Sequence, residues 1–258
     1  ANFSIEDTKT VPTGQGSSTF RSLLEIANDI SISELKDYNN KFNTLENYFT
    51  LYGLNPYYVL DNDGAKQNKN KIFGKFEASY DILDNLTVQY KFGGDYESST
   101  AESWIAKKQA AAGSYNYGTS GMSAGSYSEI RRERTQTNHD LIAMYKENLN
   151  EDFTINAIAG FNLHQRTYSY LTGGISSIDV PGFYNLGNSL SPSTASQYKS
   201  IRRLMGLYAN VDFSYKNYAY LTLTARNDWS STLPLNDNSF FYPGITGSFL
   251  ITDFLKER

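Results

Sequence analysis

Hydrophobic and polar positions alternate with period two over much of the chain. From residue 71, Ile72, Gly74, Phe76, Ala78, Tyr80 and Ile82 are apolar or small, and Phe73, Lys75, Glu77, Ser79 and Asp81 lie between them. Successive side chains of a strand point to opposite faces, so this pattern predicts one oily face and one wet face. After a tight turn at 83–85 the alternation resumes: Leu86, Val88, Tyr90, Phe92, Gly94 and Tyr96 against Thr87, Gln89, Lys91, Gly93 and Asp95. The same unit recurs at 141–164 around a turn at 147–152, and at 205–228 around a turn at 216–218. A last strand runs over about 240–252, with Phe241, Pro243, Ile245, Gly247, Phe249 and Ile251 on one face. With a first strand ending near Glu6, about eight strands are expected.

The connections alternate in length. Short turns fall near 83–85, 148–152 and 216–218, and longer segments at 9–70, 98–134, 167–199 and 230–239. Long loops all at one end are the mark of a bacterial outer-membrane barrel. About eleven residues at 3.3 Å, tilted near 40°, span roughly 28 Å, close to the hydrocarbon thickness. Tyr80, Tyr145, Phe153, Tyr215 and Phe254 gather near the short turns, and Tyr96, Trp229, Phe240 and Tyr242 towards the long loops, as two interfacial rings would. The competing reading is a soluble β-sandwich with aromatic cross-strand pairs.

Composition sharpens this picture. There are 258 residues, 21 Tyr and 15 Phe, but only 19% charged residues, a net charge of −4 and no cysteine. The polarity is mostly uncharged, from 28 Ser, 24 Asn and 20 Thr. Thiolate metal sites and cysteine nucleophiles are excluded, and an acidic chain carries no nucleic-acid footprint. No apolar run exceeds about five residues, so no transmembrane helix is encoded.

The loops offer candidate chemistry. Ser99-Thr-Ala-Glu102 has the form of a capping box, with 103–112 and Gly113 completing an expected short helix. A second helical stretch is expected over 22–29. Tyr57, Tyr58, Trp104, Tyr115, Tyr117 and Tyr184 are loop aromatics suited to stacking on a sugar ring, a peptide side chain or a covering partner, with loop-to-loop packing as the plainer alternative. Gly121-Met-Ser-Ala-Gly125 matches a nucleophile elbow by letter but lies in a Gly/Ser-rich loop, without the buried strand and following helix an elbow needs. Catalysis by Ser123 is therefore not expected, and His139 and His164 are too few for a multi-histidine metal site. Asp61-Asn-Asp-Gly64 resembles the start of a calcium loop but lacks the distal bidentate glutamate. No cofactor is expected, calcium in this loop being the minor alternative. Arg131-Arg-Glu-Arg134 reads as a solvated face or a lipopolysaccharide-headgroup contact.

The stretch Leu221-Thr-Leu-Thr-Ala-Arg-Asn-Asp-Trp-Ser-Ser-Thr-Leu-Pro234, followed by Ser239-Phe-Phe-Tyr-Pro243, closely resembles SusC/RagA-type TonB-dependent transporters of Bacteroidetes outer membranes. Asn55-Pro-Tyr-Tyr58, Asn138-His-Asp140, Ile178-Asp-Val-Pro-Gly-Phe-Tyr-Asn185 and Arg203-Leu-Met-Gly-Leu-Tyr208 agree with it. The resemblance implies a 22-stranded barrel plugged by an N-terminal domain and capped by a SusD-like surface lipoprotein. It also implies import of oligosaccharides or peptides energised by TonB. Neither plug nor TonB box is recognisable, so residues 1–258 are expected to be part of one barrel domain whose plug and remaining strands lie elsewhere. On this reading Lys75, Glu77, Lys91, Asp95, Asn162, Arg166, Asn210, Arg226 and Asp228 face the lumen. A barrel without energy coupling and a soluble carbohydrate-binding or hydrolytic β domain are the other two readings.

Overall fold

The computed structural model describes residues 2–10, 19–50, 53–119, 121–216 and 218–256. Eight strands among the described residues form a single antiparallel sheet in chain order: β1 Asn2–Thr10, β2 Gly64–Leu83, β3 Leu86–Ile105, β4 Ser126–Asn148, β5 Phe153–Ile175, β6 Thr194–Tyr215, β7 Ala219–Ser230 and β8 Ser239–Phe249. This meander leaves β1 and β8 as the sheet's edges, so the sheet is not closed within these residues.

Register follows the alternation. Phe76 pairs with Phe92, Val88 with Ala143, Ala143 with Ala159, Ala159 with Ala209 and Ala209 with Ala225, so the apolar positions of successive strands meet on one face. A slip of one residue in any strand would turn its oily row into the wet face. Along β5 the apolar row runs from Phe153 to Leu163, ten residues on. At about 3.3 Å per residue and a tilt near 40°, that is a band roughly 25 Å tall. Phe76, Tyr80, Leu141, Leu207 and Ile245 are exposed in it, so the sheet presents this face unpaired.

The ring near the short turns takes shape. Phe153 and Tyr215 lie 4.6 Å apart, and Tyr218 packs edge-on against Phe249 and Phe254 at 5.5 and 5.3 Å. Trp229 and Phe241 mark the opposite rim on the apolar face, Trp229 opposite Met205. Phe240 and Tyr242, expected in that ring, instead pair with Asp228 and Arg226 on the polar face.

Two helix expectations are corrected. The segment around Ser99 is strand: β3 continues to Ile105, held between β2 (Ser99 opposite Lys69) and β4 (Ser99 opposite Arg132). Ladder pairing on both sides overrides a local capping signal, and Lys69–Glu97 at 3.4 Å and Lys66–Glu102 at 3.2 Å add cross-strand ion pairs. The stretch at 22–29 is helical only as the end of a six-residue helix, α1 Thr19–Leu24, followed by turns. A further helix, α2 Pro56–Asn62, starts at Asn55, whose side chain accepts from the Tyr57 N–H, with proline at the first helical position. A short α3, Ile251–Lys256, follows β8. No helix among the described residues is long and apolar enough to cross a membrane, and β strands need none.

Candidate functional site

The polar face carries three hydrogen-bonded polar clusters side by side at the level of the apolar band. On β2 and β3, Glu77 accepts from Gln89 at 2.7 Å and lies 3.9 Å from Lys91, and Asp81 accepts from Thr87. On β4 and β5, Asn162 donates to Asp140 (2.6 Å) and Asn138 (3.2 Å), and Asn138 donates to Asp140. On β6 and β7, Arg226 pairs with Asp228 at 2.8 Å and lies 5.6 Å from the centre of the Tyr208 ring. That ring lies across Gly160, where any Cβ would collide with it. Lys75 faces Gly93, and Asn210 lies between Ile158 and Thr224 with its side-chain oxygen buried and unpartnered. All nine residues expected on the lumenal side therefore share one face of the sheet. Their partners Gln136, Asn138, Asp140 and Tyr208 lie on the same face and are not among the nine, although Asn138, Asp140 and Tyr208 belong to segments that carry the resemblance.

Towards the long-loop end this face changes character. Gln136 donates to Asp95 at 3.0 Å and accepts from Arg166 at 2.6 Å. Beyond it the face carries Arg132, Arg134 and Arg202 with Tyr168, Tyr170 and Tyr198. The Arg131–Arg134 cluster is thus divided by the strand. Arg131 and Glu133 fall on the face that carries the apolar band, and Arg132 and Arg134 on the polar one.

The described residues of the connections 19–62, 106–125 and 176–193 fold together into a lobe over the strand ends. Its small core is Tyr127, Ile175 and Ile178, with Trp104, Tyr184 and Leu186 packed against it. Asp63 sits at the junction: its carboxylate accepts from the Ala106 N–H at 2.8 Å and from the Lys108 ammonium at 2.5 Å, and both charged side chains are buried. Such a pair holds only because hydrogen bonds offset the loss of water. Asn116 donates to the carbonyls of Leu45 and Tyr48, pinning 106–125 to 19–50. Burial, aided by the Glu25 charge, pushes the Tyr48 hydroxyl up to about 12. Burial, with Asp63 and Tyr58 nearby, also raises that of Tyr184.

The six loop aromatics separate into two groups. Trp104 and Tyr184 lie 5.6 Å apart in the lobe core, the Tyr184 hydroxyl bonds the Asn62 carbonyl, and Tyr58 packs edge-on against Tyr38 at 5.5 Å. Trp104 is also on the strand face that carries the apolar band. Tyr57 is half-buried on α2, while Tyr115 and Tyr117 are exposed. Asp61 is engaged by the Tyr38 hydroxyl at 3.0 Å, and no group of three His, Asp or Glu side chains is placed to hold a metal among the described residues. Ser123 is bridged to Lys108 in the backbone, and its hydroxyl accepts from the Gly125 N–H, without a histidine beside it.

No family model matches the chain. It is 23% identical over 192 residues to TonB-dependent receptor P26 of Formosa agariphila, covering 72% of this chain and 18% of that protein. It is similar in fold to solved structures of the RagAB peptide transporter (TM-score 0.64) and of the RagAB peptide importer in its closed-closed (0.66) and open-open (0.61) states. Each is 15% identical and covers 80% of this chain and 22% of that one. The chain thus spans about a fifth of the length of these relatives, and the barrel-wall fold expected from the sequence is the one they share with it.

Proposed function

We propose that, as part of the barrel wall of a SusC/RagA-like TonB-dependent transporter, this segment lines the path of an oligosaccharide or peptide imported across the bacterial outer membrane. The observation that carries the reading is the asymmetry of the sheet. One face is apolar over a band about 25 Å tall, the other carries a row of polar, hydrogen-bonded clusters, and every long connection lies at the same end. That combination suits a wall with lipid outside, solute or plug inside and loops at the cell surface.

The lobe and its exposed Tyr115 and Tyr117 would meet a SusD-like surface lipoprotein acting as lid. TonB would act through a plug domain belonging to the longer protein. On the outer face, Lys199 and Arg203 stand beyond the apolar rim, cations suited to lipopolysaccharide phosphates, and Arg131 stands there paired with Glu129 at 2.6 Å. The relatives support this reading by name: one is a TonB-dependent receptor, and the others are a peptide transporter solved in open and closed states.

The test is uptake in a strain lacking the gene, complemented with the full-length protein or with a version deleted for its TonB-contacting segment. Uptake restored only by the intact protein supports energised import. Equal uptake through the deleted version would overturn it in favour of a passive barrel.

A further inference from the structure

Above the membrane-level network, the polar face gathers three arginines, of which one, Arg134, has a carboxylate directly opposite it, Glu97 of β3. Arg166 of β5 and Arg202 of β6 are direct cross-strand partners, and like charges so placed destabilise a sheet. Arg134 of β4 lies beside them, opposite Tyr168. These three arginines line one open groove of about 330 Å³ together with Tyr168, Tyr198 and Ser200. None of them has an ion pair among the described residues. Arg166 reaches only the Gln136 amide, and Arg134 stands 5.9 Å from the centre of the Tyr168 ring. The nearest carboxylates on this face are otherwise engaged: Glu97 with Lys69, Asp95 with Gln136 and Asp140 with Asn138 and Asn162. Below this level two cations do have a carboxylate partner, Arg226 with Asp228 and Lys91 with Glu77.

The groove also has an aromatic wall. Tyr170 and Tyr198 stack with ring centres 5.7 Å apart and planes within 26°, and Tyr168 lies 6.2–6.3 Å from both. Guanidinium groups present paired N–H donors that fit planar or tetrahedral oxyanions, and tyrosine faces offer an apolar surface to a sugar ring. The groove lies on the face of the sheet, whereas backbone N–H and C=O groups lie in its plane. β4 and β5 are paired on both sides, and only the outer edge of β6 over 194–202, paired with β5 alone, keeps backbone groups for an extended peptide. What a ligand lying on the face itself meets is side-chain charge and ring surface.

We propose that Arg134, Arg166 and Arg202, with the tyrosine wall, form a binding site for an anionic oligosaccharide carrying sulfate or carboxylate groups, at the outer mouth of the lumen. The site starts three residues beyond Leu163, where the apolar band ends, so it meets solute before the membrane-level network does. The proposal rests on the import reading for its place on the path, yet it is tested without transport.

The full-length protein, purified in detergent, is titrated calorimetrically with four probes of similar length: a sulfated carrageenan oligosaccharide, the same material after desulfation, oligogalacturonate and polyglutamate. At least one anionic sugar binds about tenfold or more tighter than the desulfated control, and its affinity falls steeply with added salt. In R134Q/R166Q/R202Q that preference disappears, and in the corresponding triple lysine variant it is only partly kept. The sulfated and uronate arms distinguish the two oxyanions.

Three results would overturn the proposal: no preference for an anionic sugar, a preference unchanged in the glutamine variant, or tighter arginine-dependent binding of polyglutamate. The last would make an acidic peptide the occupant. If binding behaves as stated while TonB-dependent uptake fails, the import reading falls and the site stands. If uptake succeeds without this binding, only the site falls.

Discussion

Placing one charge at different points of the same sheet separates a lipid-facing wall from a water-soluble one. Leu223 of β7 lies between Val211 and Ile245 on the apolar face, four residues from Ala219 at the lower aromatic ring and six from Trp229 at the upper rim. At about 3.3 Å per residue and a 40° tilt, it sits roughly 10 Å and 15 Å from the two edges, close to the bilayer midplane. Leu223→Arg should therefore cost about 2–4 kcal/mol of folding stability in a bilayer. Ile201 has the same parity but stands four residues beyond Met205, outside the rim, where Ile201→Arg should cost about 0–1 kcal/mol. Thr222→Arg, one residue from Leu223 but on the polar face opposite Asp212, should also stay below about 1 kcal/mol, because a carboxylate waits there. The contrast of roughly 2–3 kcal/mol corresponds to about a 30- to 150-fold difference in folding equilibrium. It is read from reversible denaturant titrations of the full-length protein in lipid vesicles. Equal costs at 223 and 201, or a cost at 222 matching that at 223, would refute the lipid-facing assignment.

Gly160→Val should destabilise by about 1–3 kcal/mol, because its branched side chain meets the Tyr208 ring. Tyr208→Ala in the same chain should recover most of that loss, which a double-mutant cycle on the unfolding midpoint would show. Asp63→Ala leaves the Lys108 ammonium buried without its partner and should weaken the lobe by about 3–5 kcal/mol. Hydrogen exchange should then quicken in 106–125 while β4–β6 keep their protection. Tyr48 holds its proton more tightly when folded, up to about 12 against an ordinary 10, so its contribution is complete below about 10 and is lost as pH rises through about 12. Tyrosinate absorbance together with limited proteolysis should show the lobe opening in that window, and Tyr48→Phe should reduce the effect.

The sequence made the strands legible only where lipid on one side and polar groups on the other force strict alternation. At 72–96, 141–163 and 205–225 the parity of single residues is correct. Beyond the band both faces are wet, so Lys66–Asn70, Ser98–Ser103 and Thr194–Arg203 show no alternation, although backbone pairing and ion pairs carry the ladder through them. There the Ser99/Glu102 spacing suggested a helix, because a capping signal is local and two flanking strands are not visible from it. The same blindness hid the arginine–tyrosine groove. Arg132, Arg134, Tyr168, Tyr170, Tyr198 and Arg202 are scattered over three strands, and only register brings them to one face. Phe240 and Tyr242 show the reverse error, since strict alternation around Phe241 already assigns them to the polar face.

The central claim is that the sheet turns one face to lipid and the other to an aqueous path. The 258 residues hold no cysteine, so each cysteine introduced here is distinct within the segment. Spin labels placed singly at positions 205 to 215 of β6, in the full-length protein in bilayers, should alternate in collision rate with oxygen and with a water-soluble nickel chelate. Oxygen should dominate at 205, 207, 209, 211, 213 and 215, and the chelate should gain at 206, 208, 210, 212 and 214. Uniform access along the strand, or the opposite parity, would contradict the account.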